Sequence, residues 1–436
     1  MSKKNIVSII SGYTVFCLCI SILAGCAPHG SPTPGPTAGH GSLEAFTPVA
    51  ALALPTAVRV TPAANEDAST QQTAWLQMAE LGPYAPSSQD LAAIVEAAKR
   101  EGKVTIYSNS SRLKYAAEEF MARYPEIDVE ALDIGTKDSI LTLRNEQMAR
   151  EYHCDVYFAG DAPTLLHELL PGHMVWPFVP AELQAVIPNP YRDPLLVQRL
   201  SIDFVIYNSD TYDAPPIDNW WDLTRPEWAG KVVLQNPLHH PARMYLFVSM
   251  VQQAEKMAEA YETEFGERIQ LDEECPNAGY QWIKAFLANE PSYLLGGIEI
   301  AEAVGTPDQF DPPLGIAAYA QYSKVIRHNL YFEPLFDLAP CSGVSLPTYL
   351  AIANGAPHPN AAKLMIHWLM GEPSEERMGG FAPWWVLGEY SPRSDIPDPE
   401  HAYPWAALES RLWPLDSKAA DDDVQSVRAF WERHTP

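Results

Sequence analysis

Little in these 436 residues points to a nucleophile, a metal centre or a nucleic-acid surface. Cysteine is scarce: Cys17, Cys19, Cys26, Cys154, Cys275 and Cys341. The last three are far apart and odd in number, with no CxxC spacing and no dense disulfide framework, although one disulfide among them stays open. No Gly-x-Ser-x-Gly elbow and no His-Glu-x-x-His motif occurs, so serine-hydrolase and zincin chemistry lack their usual scaffolds. Basic residues are few. There are 29 Lys and Arg against 55 Asp and Glu, a formal net charge of −26. A surface this acidic repels phosphate backbones and excludes nucleic acid as a partner. The same charge keeps the chain soluble.

What is present begins at the N-terminus. Lys3 and Lys4 are followed by an uncharged, mostly apolar run that ends at Leu23-Ala24-Gly25-Cys26. This resembles a bacterial lipoprotein signal over residues 1–25, with Cys26 as the lipidated residue and the membrane as its partner through that lipid. A transmembrane anchor is the alternative, since the run nearly spans a bilayer. Ser8, Ser11, Thr14 and Ser21 and the abrupt stop at Cys26-Ala27-Pro28 favour the lipoprotein. Either way the body lies outside the cytoplasm. Residues 26–86 are rich in Pro, Ala and Thr and read as a tether, with a short helix over Trp75–Leu81.

The remaining length exceeds one ordinary core, so two lobes are expected. Ser87-Ser88-Gln89-Asp90 is a helix-start signal, and Gly102 sits where a helix-ending glycine belongs. Strands read at Val104–Tyr107, Ile127–Leu132 and Asp155–Phe158, with amphipathic helices between them. Strand and helix alternating in this way predict a parallel α/β sheet. Ligands bind beyond the carboxyl ends of such strands. The loops there are Ser108-Asn109-Ser110-Ser111 and Ala159-Gly160-Asp161. The first flows into a helix, whose N–H groups favour polar oxygens or anions; a plain helix cap is the alternative.

Several segments then resemble one family in its order. Gly102–Ser108, Asp155–Ala162, Phe204–Asn208, Trp221–Val232, with the Asn236-Pro237 turn, and Ile352–Leu364 are similar to bacterial extracellular solute-binding proteins. The nearest branch is that of ferric-iron-type ABC transporter receptors. The resemblance implies a type II periplasmic-binding-protein fold, two α/β lobes joined by a hinge. Lobe 1 would hold residues 87–208 and 337–436, including a C-terminal helical extension, and lobe 2 residues 209–336. It implies a monomer that captures a small molecule and delivers it to an ABC permease and its ATPase.

Iron-binding members of that branch use two adjacent tyrosines, whose phenolates suit a hard cation. Here Tyr319 and Tyr322 are three apart, which puts a ferric-iron receptor second. His239 and His240 would face apart on a strand, so no metal site is read there. The family places second-lobe ligand contacts just after the Asn-Pro turn, where His240 and Arg243 stand. Arginine grips carboxylate or phosphate in two-pronged fashion. A small organic or phosphorylated anion therefore fits His240, Arg243, Asp161 and the Ser108–Ser111 loop, with the Tyr319/Tyr322 region beside them. Arg393 matches a late segment that can approach the cleft, or else forms a salt bridge. Trp220, Trp221, Trp384 and Trp385 read as core or hinge packing rather than stacking platforms. No catalytic residue, metal or cofactor is called for. A sensory binding protein for a membrane receptor, and an enzyme on the same fold acting through Ser110 and Asp161, are the other functions left open.

Overall fold

A computed structural model describes residues 66–435, apart from 324, 326, 327, 374–377 and 415–419. Cys26 and the segment expected to be a lipoprotein signal lie outside the described residues. The chain opens with helix α1 (Glu66–Ala79) and α2 (Leu91–Glu101). Asp90 starts α2 by accepting from the amides of Ala92 and Ala93, and Gly102 ends it in the left-handed conformation at φ 70°. The expected start signal thus acts through its acidic member, whose carboxylate satisfies the free first-turn amides.

Lobe 1 follows as β1 (Lys103–Ser108), α3 (Leu113–Arg123), β2 (Asp128–Asp133), α4 (Thr136–Ala149) and β3 (Val156–Ala159). β1 runs parallel to both β2 and β3, as the alternating pattern requires. Ala162–Thr164 makes a single turn, α5, and Val175–Trp176 a short strand, β4. The long strand β5 (Leu196–Asn208) then leaves the lobe.

Lobe 2 contains β6 (Val232–Gln235), α6 (Pro241–Gln252), α7 (Ala254–Phe265), α8 (Ala278–Ala288), β7 (Ser292–Leu294), α9 (Gly297–Gly305), β8 (Leu314–Ala318) and β9 (Phe332–Pro334). Strand β10 (Gly343–Ala353) returns, and α10 (Pro359–Leu369) packs against α2. After β11 (Glu389–Tyr390) come α11 (Trp405–Leu408), β12 (Leu412–Pro414) and α12 (Ala420–His434).

One sheet runs through both lobes in the order β2-β1-β3-β10-β5-β8-β6-β7. Its middle is the antiparallel β5/β10 ladder, in register from Phe204↔Gly343 to Leu196↔Leu350 with an irregularity at Thr348/Tyr349. β10 also pairs with β3 of lobe 1, and β5 with β8 of lobe 2. These two strands are the hinge. Each lobe has its own apolar core. Phe158, Ile352 and Trp384 lie in one, and Trp220, Trp282 and Trp431 in the other.

Two boundaries differ from those expected. Leu76, Ala79 and Leu81 are buried in the lobe 1 core, and Trp75 donates to the Ala356 carbonyl at 3.0 Å. Folded structure therefore reaches back into the stretch assigned to the tether, because α1 finds a partner on the far end of the chain. The C-terminal extension, assigned to lobe 1, ends on lobe 2. α12 packs against α6 and α8, and buries Val427, Phe430 and Trp431 there. The aromatic residues of α12 pack on Phe247, Tyr280 and Phe286 of lobe 2, partners that no local sequence signal reveals.

Candidate cleft between the lobes

A cavity of about 460 Å³ opens where the β5/β10 hinge meets both lobes. From lobe 1 it receives Asn109, Thr136 and Asp161, all just beyond the carboxyl ends of parallel strands. Asn109 donates to the Thr136 hydroxyl at 2.8 Å, which ties the first two of these loops together.

From lobe 2 come Gln235, His240, Arg243 and Tyr245. The local sequence explains their placement. Asn236 turns the chain by accepting the Leu238 amide on its side chain, and the His239 and His240 amides on its carbonyl. His240 precedes Pro241 and is extended at φ −128°, as that position demands. Pro241 occupies the first helical turn, where its missing N–H costs nothing. The opening turn of α6 therefore faces the cavity.

Arg243 is the central group. It is 2% exposed, its Nη1 lies against Asp203 Oδ2, and its Nη2 is 3.5 Å from Gln235 Oε1. Its Nε finds no hydrogen-bond acceptor among the described residues, nor does His240 Nδ1. Burial opposes the guanidinium charge, and Asp203 offsets part of that cost. Burial also pulls His240 below the ordinary histidine range, so its imidazole is neutral near pH 7. The cavity thus offers one charged donor and one neutral imidazole, both with unused capacity.

The hinge contributes Ser201 and Asp203 from β5 and Thr348 from β10. Behind them Glu389 gathers Ser201 at 2.6 Å, Arg199 at 3.1 Å and Arg112 at 3.7 Å. The Arg199 guanidinium lies 5.4 Å from the Phe158 ring centre and 5.6 Å from that of Trp384. Arg199 and Glu389 are both largely buried, and their pairing ties β11 to β5 beside the hinge.

Of the residues singled out from sequence, Asn109, Asp161, His240 and Arg243 come together around this cavity. Ser108 is buried and accepts from the Ser110 amide at 3.1 Å. Ser110 in turn accepts from the Trp384 indole at 3.1 Å, and Ser111 is exposed. These serines shape the loop rather than line the cavity. Tyr319 and Tyr322 line a different cavity with Glu333 and Phe336. The reason is a single turn of 3-10 helix at Tyr319–Ser323, in which residues three apart eclipse. The two tyrosines share one face, with ring centres 5.9 Å apart, while Ala318 and Gln321 share the face toward the cleft. Burial raises both phenols, which opposes the phenolate form. Arg393 is also elsewhere. It donates to the carbonyls of Met370 and Gly371 and pairs with Asp395 at 2.7 Å, clamping the chain after α10.

Asp203, Ser201, Gln235, Tyr245, Gln321 and Thr348 were not singled out from sequence. Asp203 had a usable signal. It interrupts the apolar run Ile202–Tyr207, and Arg243 interrupts the apolar face of α6. Two charges in apolar surroundings need each other. Tyr245 carried no such signal.

Among the described residues, one acidic group outside the cleft could gather around a cation: Asp218, Asp222 and Glu264. Arg225 already occupies it, pairing with Asp222 at 2.8 Å and with Glu264.

No protein-family model matches the sequence, and no curated protein matches it. Solved structures do match. Apo ferric ion-binding protein A of Pasteurella haemolytica superposes with a TM-score of 0.57 at 15% identity, over 76% of this chain and 98% of that one. This chain has the two-lobed periplasmic-binding-protein fold. Iron-bound HitA from Pseudomonas aeruginosa gives 0.57 at 17% identity, over 76% and 99% of the two chains. The periplasmic binding protein AfuA from Actinobacillus pleuropneumoniae, with fructose-6-phosphate bound, gives 0.57 at 16%, over 77% and 98%. In a two-lobed fold of this kind, the cavity at the hinge between the lobes is the natural candidate for the ligand site.

Proposed function

We propose that this protein is an extracytoplasmic solute-binding lipoprotein of an ABC importer, and that its ligand is a small organic anion, with a phosphorylated compound favoured. The observation that carries the ligand class is the unpaired Nε of Arg243, buried at the cleft. A buried donor without an acceptor costs about 1–3 kcal/mol, and an anionic oxygen at that point would recover it. His240 adds a donor beside it, and Asp161 and Asp203 supply acceptors for hydroxyl groups.

Among proteins of this fold, AfuA is described with a sugar phosphate and HitA with iron. The turned-away tyrosines favour the former kind of ligand here. The lobes would close on it about the β5/β10 hinge. Cys26 would hold the body at the membrane, and the Pro-rich stretch would let a monomer reach its permease and ATPase.

The test is native mass spectrometry of the purified protein, followed by calorimetry with sugar phosphates, dicarboxylates, inorganic phosphate and ferric citrate. The expected result is tight binding of a phosphorylated or carboxylate ligand that Arg243→Met abolishes. Ferric binding with a tyrosinate charge-transfer band, or anion binding indifferent to Arg243→Met, would overturn the reading.

A further inference from the structure

The β5/β10 ladder has two faces. Ser201, Asp203, Leu346 and Thr348 turn to the cleft. Leu200, Ser345 and Tyr349 turn the other way and line a second cavity, of about 320 Å³. Its remaining walls come from Tyr191 and from the returning C-terminal chain, through Trp405 and Glu409.

The chemistry of this second cavity differs from that of the cleft. Its rings are Tyr191, Tyr349 and Trp405, and none of its lining residues is basic. Its one charge is Glu409, which has no cationic partner among the described residues and accepts the Tyr191 hydroxyl. Burial first, and Glu409 second, raise the Tyr191 phenol, so it stays a neutral donor. Glu409 is exposed and Tyr191 and Trp405 are half-buried, so a cation held over these rings gains about 0.5–1 kcal/mol from them. The net charge of −26 also enriches cations near the surface.

We propose that this cavity is a second ligand site, which takes a small organic cation with an apolar or aromatic body. The ammonium sits among the rings of Tyr191, Tyr349 and Trp405, with Glu409 balancing its charge. The remainder lies against Leu200, Pro347 and Leu412. The site does not depend on the anion proposed for the cleft.

The test is calorimetry of the full chain with benzyltrimethylammonium, with neutral benzyl alcohol as the control. The expected result is saturable binding of the cation alone. Glu409→Gln, which keeps an acceptor for Tyr191, should weaken it by about two- to fivefold. Trp405→Leu should abolish it, and Arg243→Met combined with Asp203→Asn, which removes the buried charge pair together, should leave it unchanged. Absence of saturable binding, equal binding of benzyl alcohol, or sensitivity to the Arg243→Met/Asp203→Asn pair but not to Glu409→Gln would overturn the proposal.

Discussion

The Tyr245 hydroxyl donates to Asp161 Oδ1 across 2.6 Å, joining α6 of lobe 2 to the loop after β3 of lobe 1. Asp161 also accepts the Thr164 hydroxyl at 2.8 Å, so its carboxylate is held in place from its own lobe. The bond bridges the cavity that the hinge creates, and both partners line it.

Tyr245→Phe removes this link while keeping the ring. A hydrogen bond to a carboxylate contributes about 1.5–3 kcal/mol. The lobes should separate more readily, so small-angle scattering of the ligand-free variant should give a larger radius of gyration than the parent. An unchanged radius would mean that the bond does not bias the lobes.

Arg243 and Asp203 form a buried pair, so their two roles are separable. Arg243→Met leaves Asp203 uncompensated and should cost about 3–5 kcal/mol in denaturant melts. Adding Asp203→Asn should return much of that stability without restoring anion binding. If binding returned with stability, Arg243 would be a structural residue only.

His240 gives the cleft a pH dependence. Burial holds its free-state pKa below the ordinary value of about 6.5, and an anion beside the ring would raise it. Binding should therefore take up protons, and affinity should rise as pH falls through the bound-state pKa. Calorimetry in buffers of different ionisation heat measures this uptake, and His240→Asn should remove it.

Asp395 provides a stability signature of the Arg393 clamp. Its hydrogen bond to Arg393 lowers the carboxyl pKa in the folded state, so the unfolded chain binds more protons. The contribution is present above about pH 3.9 and is lost as pH falls through the folded value. Asp395→Asn should flatten that acid limb of the melting curve while leaving ligand affinity unchanged.

Trp431 is fully buried in the lobe 2 core, with its ring centre 4.5 Å from that of Phe247. Trp431→Ala should cost about 3–5 kcal/mol, and the loss should appear as earlier hydrogen exchange in α6 and α8.

The alternating strands and helices of lobe 1 were legible in the sequence, because each depends on spacing within a dozen residues. Asp90, Gly102 and the apolar face of α3 act locally, so their chemistry is visible along the chain. The Asn236-Pro237 turn entered through the family resemblance, and the start of α6 at Pro241, which points His240 and Arg243 at the cleft, was not read from the sequence. Tertiary structure decided the rest. Which face of the Tyr319 turn meets the cleft depends on how β8 pairs with β5. Where α12 docks depends on Phe247, Tyr280 and Phe286, residues of lobe 2 far from it in the chain. That Asp161 meets Tyr245, and Asp203 meets Arg243, depends on the long-range pairing of two hinge strands. Local periodicity sets what each segment becomes. Only the burial of distant surfaces against one another sets which side chains share a cavity.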